Sequence, residues 1–433
     1  MNKRALIVGY FVVDQNMGGV RLRRIARLLP RHGWQPVILT HPPVPGSPPV
    51  AGDVRLEIAQ ALDLTRLYGR IRPSRREAAL PVPAGRGEPK TVSTRITGRV
   101  NRWLMVPDKH VTWYRAALQR GRELLRREKF DVIFASLEPR TGILVAAQLS
   151  RESGVPFVLE YRDLWTGSPY HALAQPTVFH RWLYERWERQ TMQQARVVSA
   201  VCRGIADYLE QKYASVLKAP VAVNYNFFDP EEYPPPRPSV AVNSAAPRPL
   251  VVSYAGAMYA SRTPHQFFEG MRAYLDRAKL TPEQFRFCWA GFITDIDDLS
   301  KVIDRTGVRP YMDFLGQIPH QEALRLLIRS DAALLIQAAH DSIHIPGKLF
   351  EAMGARVPLL ALANPCEVTD IIQRCRAGIV CPYTADSVAS ALAEFQRLSA
   401  QGTRWQFNEA EVQQFSADPS VARLAALFER AMG

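Results

Sequence analysis

The sequence predicts an α/β protein made of two doubly wound, parallel-sheet domains. Three observations carry that prediction. Short apolar runs alternate with helical segments from the first residues to beyond position 380. A proline-rich stretch at 227–249 interrupts the alternation, which then restarts. Most strand candidates are apolar or β-branched throughout, as parallel strands covered on both faces must be. A chain of 433 residues is long enough for two or three substantial cores.

In the first half the strands are expected at 5–10, 36–40, 131–136, 157–161 and 197–201. Helices are expected between them, among others at 20–29, 113–128 and 142–150. In the second of these, Trp113, Ala117, Leu124 and Leu125 line one face while Arg120, Arg122, Arg126 and Arg127 crowd the rest. The stretch at 227–249 reads as a linker. Strands are then expected at 250–255, 285–290, 312–315, 332–336, 358–363 and 378–381, and an amphipathic helix at 416–432 behind a Ser-Ala-Asp-Pro start signal. The expected domains are therefore 1–226 and 250–410, with 411–433 as a terminal segment. Two such units place a ligand cleft at the carboxyl ends of their strands.

Apolar content of 47% and charged content of 22% are ordinary for a globular protein. The five cysteines form no CxxC pair, which fits reduced thiols in the cytosol. Lys3 and Arg4 before an apolar run imitate a signal peptide, but the run ends at Asp14 without a small-residue cleavage pattern, so a first strand is expected. No segment reaches the roughly 18 apolar residues that span a bilayer. The net charge of +14 is uneven. Residues 1–230 carry 35 Lys+Arg against 19 Asp+Glu, a net +16, and residues 231–433 carry 20 against 22, a net −2. The basic half suits nucleic acid, an anionic membrane or a phosphate-bearing acceptor. No nucleic-acid module is present, so none is expected as a partner.

Residues 41–109 fit neither element pattern. They are rich in Pro and Arg, with Tyr68, Trp103 and Leu104 interleaved, and read as a basic irregular insertion. Such a segment can rest on anionic headgroups or remain a solvated loop.

The segment 345–362, IPGKLFEAMGARVPLLAL, reads as loop, short helix, turn and buried strand. Lys348 and Glu351 are three apart and share a helical face. A helix N-terminus, a lysine and a carboxylate suit the phosphates and ribose of a nucleotide, though a solvated pair on a crossover helix fits equally. Gly18 and Gly19 lie between the first strand and a helix, a turn that admits a phosphate but is no GxGxxG motif. Glu138-Pro139-Arg140 and Glu160-Tyr161-Arg162-Asp163-Leu164-Trp165 follow strand ends, where α/β folds place their sites. Arg162 can stabilise an anion, Asp163 can orient a hydroxyl, and Trp165 offers a face for a sugar. An Arg–Asp pair capping the sheet edge is the alternative. Gly256 and Gly316 also end strands, and Gln317 and Ile318 follow, where backbone groups can hold a base. His340 and His344 lie in a loop, so no metal site is expected.

These blocks together resemble glycosyltransferase family 4 of the GT-B sugar transferases, in particular bacterial polysaccharide-assembly enzymes. The resemblance runs through FDVIFASLEPRTG, GVPFVLEYRDLW, ARVVSAVCRGIADYL, VSYAGAMY, SDAALLIQ and PGKLFEAMGARVPLLAL. It implies two Rossmann-like domains facing a cleft, the first binding the acceptor and the second the nucleotide sugar, with the final helix crossing back. By the same resemblance Glu351 binds the ribose, Gly18 and Gly19 lie near the diphosphate, Gly256 opens a loop facing the donor phosphates, and Lys348 matches a lysine of one subgroup. The Arg and Lys often found after the first strand of the second domain are not clearly present, and Arg262 could serve in their place. Two further positions depart from the family. A glutamate common eight residues before Glu351 is Ile343, and a histidine common after the strand at 157–161 is replaced by Arg162-Asp163.

The resulting expectation is a metal-independent, retaining hexosyl- or N-acetylhexosaminyltransferase without a cofactor. Its substrates would be a UDP- or GDP-linked sugar and a lipid-linked or saccharide acceptor of cell-surface polysaccharide (exopolysaccharide) biosynthesis. Lys348, Gly18, Gly19 and Arg262 would stabilise the leaving diphosphate, while Asp163 and Glu138 position the acceptor. The enzyme would be cytoplasmic, held peripherally at the inner membrane face by its basic half. A GT-B epimerase, or a non-catalytic nucleotide-sugar-binding partner, are the alternatives.

Overall fold

The computed structural model describes residues 3–13, 17–43, 54–60, 105–167, 177–233, 248–258, 264–291, 296–338 and 343–433. They fall into two units. The first comprises 1–200, 205–223 and 421–433, and the second 201–204 and 224–420.

The first unit holds a parallel sheet of β1 (Lys3–Val8), β2 (Trp34–Thr40), β3 (Arg55–Ile58), β4 (Val132–Ser136), β5 (Phe157–Tyr161), β6 (Val197–Ala200) and β7 (Ala222–Val223), in the order β3-β2-β1-β4-β5-β6-β7. The reversal between β1 and β4 marks a topological switch point. β1 pairs with β2 from Lys3↔Trp34 to Val8↔Leu39. Ala5, Leu6, Ile7 and the whole of β4 are buried, which is why these strands carry no polar alternation. Phe428, from the last helix (Ala417–Met432), packs its ring against Trp34 at 5.1 Å and Phe134 at 5.4 Å.

Four features of this unit differ from expectation. β3 forms inside the segment read as irregular, because its pattern is inverted: Glu57 is buried between Arg55 and Arg120 while Ile58 is 40% exposed. β7 is two residues long, too short for a pattern. Gly18 and Gly19 are not a turn before a helix. They sit inside the first turn of helix Met17–Leu28, and a short 3-10 turn, Tyr10–Val13, fills the space after β1. Gly19 is needed sterically, since a Cβ there would overlap the carbonyl oxygen of Phe11. On helix Trp113–Arg127 the buried stripe is Trp113, Ala117, Leu118, Gly121 and Leu124, while Leu125 is half-buried. Gly121 belongs to the stripe because a Cβ would strike Leu149.

The second unit holds β8 (Leu250–Ala255), β9 (Phe285–Ala290), β10 (Met312–Gly316), β11 (Ala332–Ile336), β12 (Leu359–Leu362) and β13 (Gly378–Cys381), in the order β10-β9-β8-β11-β12-β13. Its core gathers Phe267, Phe268, Phe287 and Trp289, all fully buried. Gly270 allows helix His265–Ala278 to close on helix Ala385–Ala400, since a Cβ there would stand 2.5 Å from Val388. The stretch read as a linker begins packed: Phe227 and Phe228 are buried, and the Phe228 amide donates to the carbonyl of Phe415 at 3.1 Å. All five cysteines are free thiols. Among the described residues no helix is long and apolar enough to cross a membrane.

Candidate functional site

In the second unit the candidate site is built at strand ends and one helix start. Helix Gly347–Ala355 begins at Pro346, which has no side-chain oxygen to cap the first turn, and no acidic residue lies in that turn. Among the described residues the first turn thus supplies no anion to the positive end of the helix. Lys348 folds back from it so that its ammonium sits 3.8 Å from the centre of the Tyr254 ring. Tyr254 is buried, and its hydroxyl donates to the Ala257 carbonyl at 2.9 Å.

Lys348 reaches this position because Gly256 has no side chain. A Cβ at Gly256 would stand 2.5 Å from both Cε and Nζ of Lys348. Gly256 also adopts φ +140°, which a side chain would strain. The same construction repeats on the neighbouring strands. Gly291 ends β9 at φ +142°, and a Cβ there would overlap the Gly256 carbonyl. Its amide donates to the carbonyl of Gly316, at the end of β10, at 2.7 Å. Three adjacent strands therefore finish in glycines tied by main-chain hydrogen bonds: the Gly256 amide donates to the Ala290 carbonyl at 2.6 Å, and no Cβ of its own fills the space that Lys348 enters. Gly291 was not singled out in the sequence, although Trp-Ala-Gly closes β9 much as Tyr-Ala-Gly closes β8.

Glu351, one turn along from Lys348, is half-buried. Its Oε1 lies 3.9 Å from Nδ1 of His320, whose Nε2 lies 3.5 Å from Oε2 of Glu232. Both separations are longer than ordinary hydrogen bonds. The Tyr233 hydroxyl fixes the helix turn by donating to the Glu351 carbonyl at 3.1 Å. His320 is the first residue of helix His320–Ile328, directly after the loop of exposed Gln317 and half-buried Ile318. The structure thus joins that loop to Glu351 through a histidine the sequence reading missed; its signal was its place immediately after Pro319 at a helix start. Arg262 and His340 lie outside the described residues. The region offers a helix N-terminus and an ammonium to a polyanion, and a carboxylate to vicinal hydroxyls.

Ile343 provides no carboxylate. Its carbonyl accepts from Sγ of Cys202 at 3.0 Å, and a Cβ on Gly204 would stand 2.8 Å from the Ile343 Cα. The residue is a packing element. Among the described residues no group of His, Cys, Asp and Glu could hold a metal ion.

In the first unit the strand ends carry side-chain chemistry. Arg162 follows β5, and its guanidinium donates to the carbonyls of Leu137 and Glu138, the latter at 3.0 Å. Burial pushes its pKa down, and the carboxylates of Glu160, Asp163 and Glu138 act against that shift. The structure therefore brings Arg162, Asp163 and Glu138 together, with Arg162 bracing the Glu138 loop. Asp163 is exposed, and Glu138 is half-buried with its carboxylate 3.4 Å from Arg140. Asp108 holds the next helix by accepting from the Thr141 amide at 2.9 Å and hydroxyl at 2.8 Å. Trp165 is not a sugar-stacking surface. It is fully buried, because Leu164, Trp165 and Thr166 turn inward after the exposed Asp163.

Beneath this loop lies a buried ion pair. Arg21 donates from Nε to Oε2 of Glu160 at 3.0 Å and from Nη2 to Oε1 at 2.6 Å, and Ser136 donates to Oε2 at 2.7 Å. Burial pushes the Glu160 pKa up, but Arg21 and Ser136 outweigh it and hold the carboxyl below its ordinary value. Arg21 was read only as part of an arginine-rich helix; its pairing with a residue 139 positions away has no local signal.

The architecture is that of the GT-B fold, two parallel-sheet α/β units. Residues 18–226, just under half of the chain, match the family model described as glycosyl transferase 4-like domain, and the resemblance to glycosyltransferase family 4 holds. No curated protein is significantly similar in sequence. Solved structures share the fold over the full length. Sucrose-phosphate synthase from Thermosynechococcus elongatus superposes with a TM-score of 0.64 at 14% identity, covering 99% of this chain and 98% of that one. HepE from Anabaena, in complex with UDP and glucose, gives 0.60 at 14% identity and 99% of each chain. A glycosyltransferase from Rickettsia africae gives 0.57 at 12% identity, covering 99% of this chain and 98% of that one.

Proposed function

We propose that the protein is a retaining, metal-independent glycosyltransferase that moves a hexosyl or N-acetylhexosaminyl group from a nucleoside diphosphate sugar to a saccharide or lipid-linked acceptor of cell-surface polysaccharide synthesis. The observation that carries this reading is the approach of Lys348 to Gly256 at an uncapped helix start. A cation and a helix dipole, in space that Gly256 leaves clear, suit a departing diphosphate that needs its charge stabilised. Glu351 accepts the ribose hydroxyls, and the loop of Gln317 and Ile318 meets the base. HepE has been solved with UDP and with UDP-glucose, which makes a uridine diphosphate sugar the first donor to test. Gly18, Gly19 and Arg262 belong to the same proposal as further diphosphate contacts.

On the acceptor side Glu138 and Asp163 orient the incoming hydroxyl, and Arg162 acts as their positioning residue. In a front-face reaction the C1–O bond to the diphosphate breaks as the acceptor oxygen bonds to C1 on the same side. The leaving phosphate oxygen takes the acceptor proton, so a strong protein base is not required. The basic first half, including the insertion at 41–109, would hold the enzyme at the cytoplasmic face of an anionic membrane.

A second reading, a nucleotide-sugar-binding partner without turnover, is favoured by Ile343 standing where a carboxylate would contact the donor sugar. A panel of UDP- and GDP-sugars decides among the readings. UDP or GDP release only in the presence of acceptor supports transfer, epimer formation without acceptor supports an epimerase, and binding without turnover supports the partner. Glu351→Ala and Lys348→Ala should each weaken donor binding by about 10- to 100-fold, as loss of a charged hydrogen bond does. Full donor affinity and turnover in both variants would refute the site.

A further inference from the structure

Three apolar side chains at the start of helix Val178–Gln194 stand out of the first unit. Val178 is 71% exposed, Phe179 59% and Trp182 51%. They occupy one turn and a neighbouring position on one side of the helix. The rings of Phe179 and Trp182 stack with centroids 5.9 Å apart and planes 30° apart. The opposite side is fixed in the protein by His180, Tyr184, Glu188, Thr191 and Met192, all buried. Isolated exposed apolar residues are ordinary, but a contiguous aromatic patch on a well-anchored helix marks an interaction surface.

The charges around the patch select its partner. Arg186, one turn further, places its guanidinium 5.6 Å from the centre of the Trp182 ring, leaving its N–H edges to other acceptors. Arg181 is exposed beside Trp182, and Arg189 continues the stripe. Glu185 is the one exposed acid of this helix, because Glu188 is turned inward to accept from Tyr213 at 2.6 Å. The surface is an apolar tip with an arginine collar, on the half of the chain that carries a net +16. A lipid interface supplies both complements, acyl chains for the rings and phosphates for the guanidinium groups.

We propose that the Val178–Phe179–Trp182 face of this helix docks the protein on an anionic bilayer, with Phe179 and Trp182 at the acyl boundary and Arg181 and Arg186 on lipid phosphates. The proposal rests on the membrane clause of the function given above and is independent of the donor site.

Sedimentation of the full chain with phosphatidylglycerol-containing vesicles tests it against pure phosphatidylcholine vesicles. At least tenfold stronger retention on the anionic vesicles is expected, weakening with salt. Phe179→Ser with Trp182→Ser should lower retention on both compositions at least tenfold. Arg181→Gln with Arg186→Gln should remove the anionic preference. Donor affinity and melting temperature should stay unchanged in both pairs, because every substituted residue is exposed and none belongs to the donor site. If the wild-type chain is not retained, the proposal and the membrane clause both fail. Retention equal to wild type in the Ser pair overturns this surface but leaves attachment through another basic segment. If the Ser pair turns a dimer into a monomer without changing retention, a second copy covers the patch and the proposal is wrong. Vesicle binding without turnover of any donor would sink the transfer reading and leave this surface standing.

Discussion

The strand ends of the two units are built from opposite materials. In the first unit they present side chains: Arg21, Glu160, Arg162 and Glu138 lock one another and the backbone of a loop. In the second unit they present backbone, with Gly256, Gly291 and Gly316 stripped of side chains so that Lys348 and main-chain groups share the space. A diphosphate is a large polyanion with many equivalent oxygens, and a helix start with a lysine in cleared space meets it without sequence-specific geometry. An acceptor hydroxyl must be aimed at one carbon, which calls for side chains held rigidly by others. The difference in material thus follows the difference in task proposed for each unit.

The glycine layer offers the largest effect with which to break this comparison. In Gly291→Ala the new Cβ overlaps the Gly256 carbonyl at a φ of +142°. The loss should exceed about 4 kcal/mol, the range in which core overlap and backbone strain combine. Unfolding of the second unit should shift accordingly, with donor binding lost. Gly307→Ala is the control, since its Cβ meets nothing within 4 Å and only its φ of +62° is strained. It should cost about 1–2 kcal/mol. Equal melting shifts in the two variants would show that close packing of the glycine backbones does not shape the site.

The corresponding test in the first unit is Arg21→Met. It leaves Glu160 buried without its principal counter-charge, which costs about 3–5 kcal/mol. The pH dependence gives the sign. In the wild type the Glu160 pKa is held below its unfolded value, so its stabilisation is present above about pH 4.3 and lost as pH falls through the folded value. In Arg21→Met burial dominates and the folded pKa rises above the unfolded one. Its contribution is then largest below about pH 4.3 and declines as pH rises through the folded value. Denaturant titrations of the two proteins at pH 5 and pH 7 should therefore diverge, with the variant gaining relative stability at pH 5. A parallel response would mean Ser136 and Arg162 suffice to hold the charge.

How much of this was legible in the sequence depended on range. β5, β8, β9, β11 and β13 coincide with their expected bounds, because buried parallel strands advertise themselves as apolar runs. Lys348 and Gly256 were both named, but only the fold shows that one occupies the space the other lacks. Trp165 was misread because strand-end position alone does not tell whether a ring points inward. β3 escaped because its buried residue is a glutamate paired with Arg55 and Arg120. For Lys348 with Gly256 and for Glu57 with Arg120 the missing information was a partner distant in sequence.

His320 offers the smallest and most discriminating effect. It stands between Glu232 and Glu351, 3.5 Å from one carboxylate and 3.9 Å from the other, half-buried, so the interaction is worth about 0.5–1 kcal/mol. His320→Ala should therefore raise the donor KM two- to fivefold and leave kcat unchanged, the signature of binding lost equally in ground and transition states. A double-mutant cycle with Glu351→Ala separates the causes. If His320 acts by orienting Glu351, its removal should have no further effect once Glu351 is gone. Additive losses would mean that His320 touches the donor itself. The second unit would then recognise its ligand through side chains on two helices as well as through backbone, and the contrast between the units would be one of degree. An equal fall in kcat and kcat/KM would go further, placing the imidazole against charge that develops only during transfer.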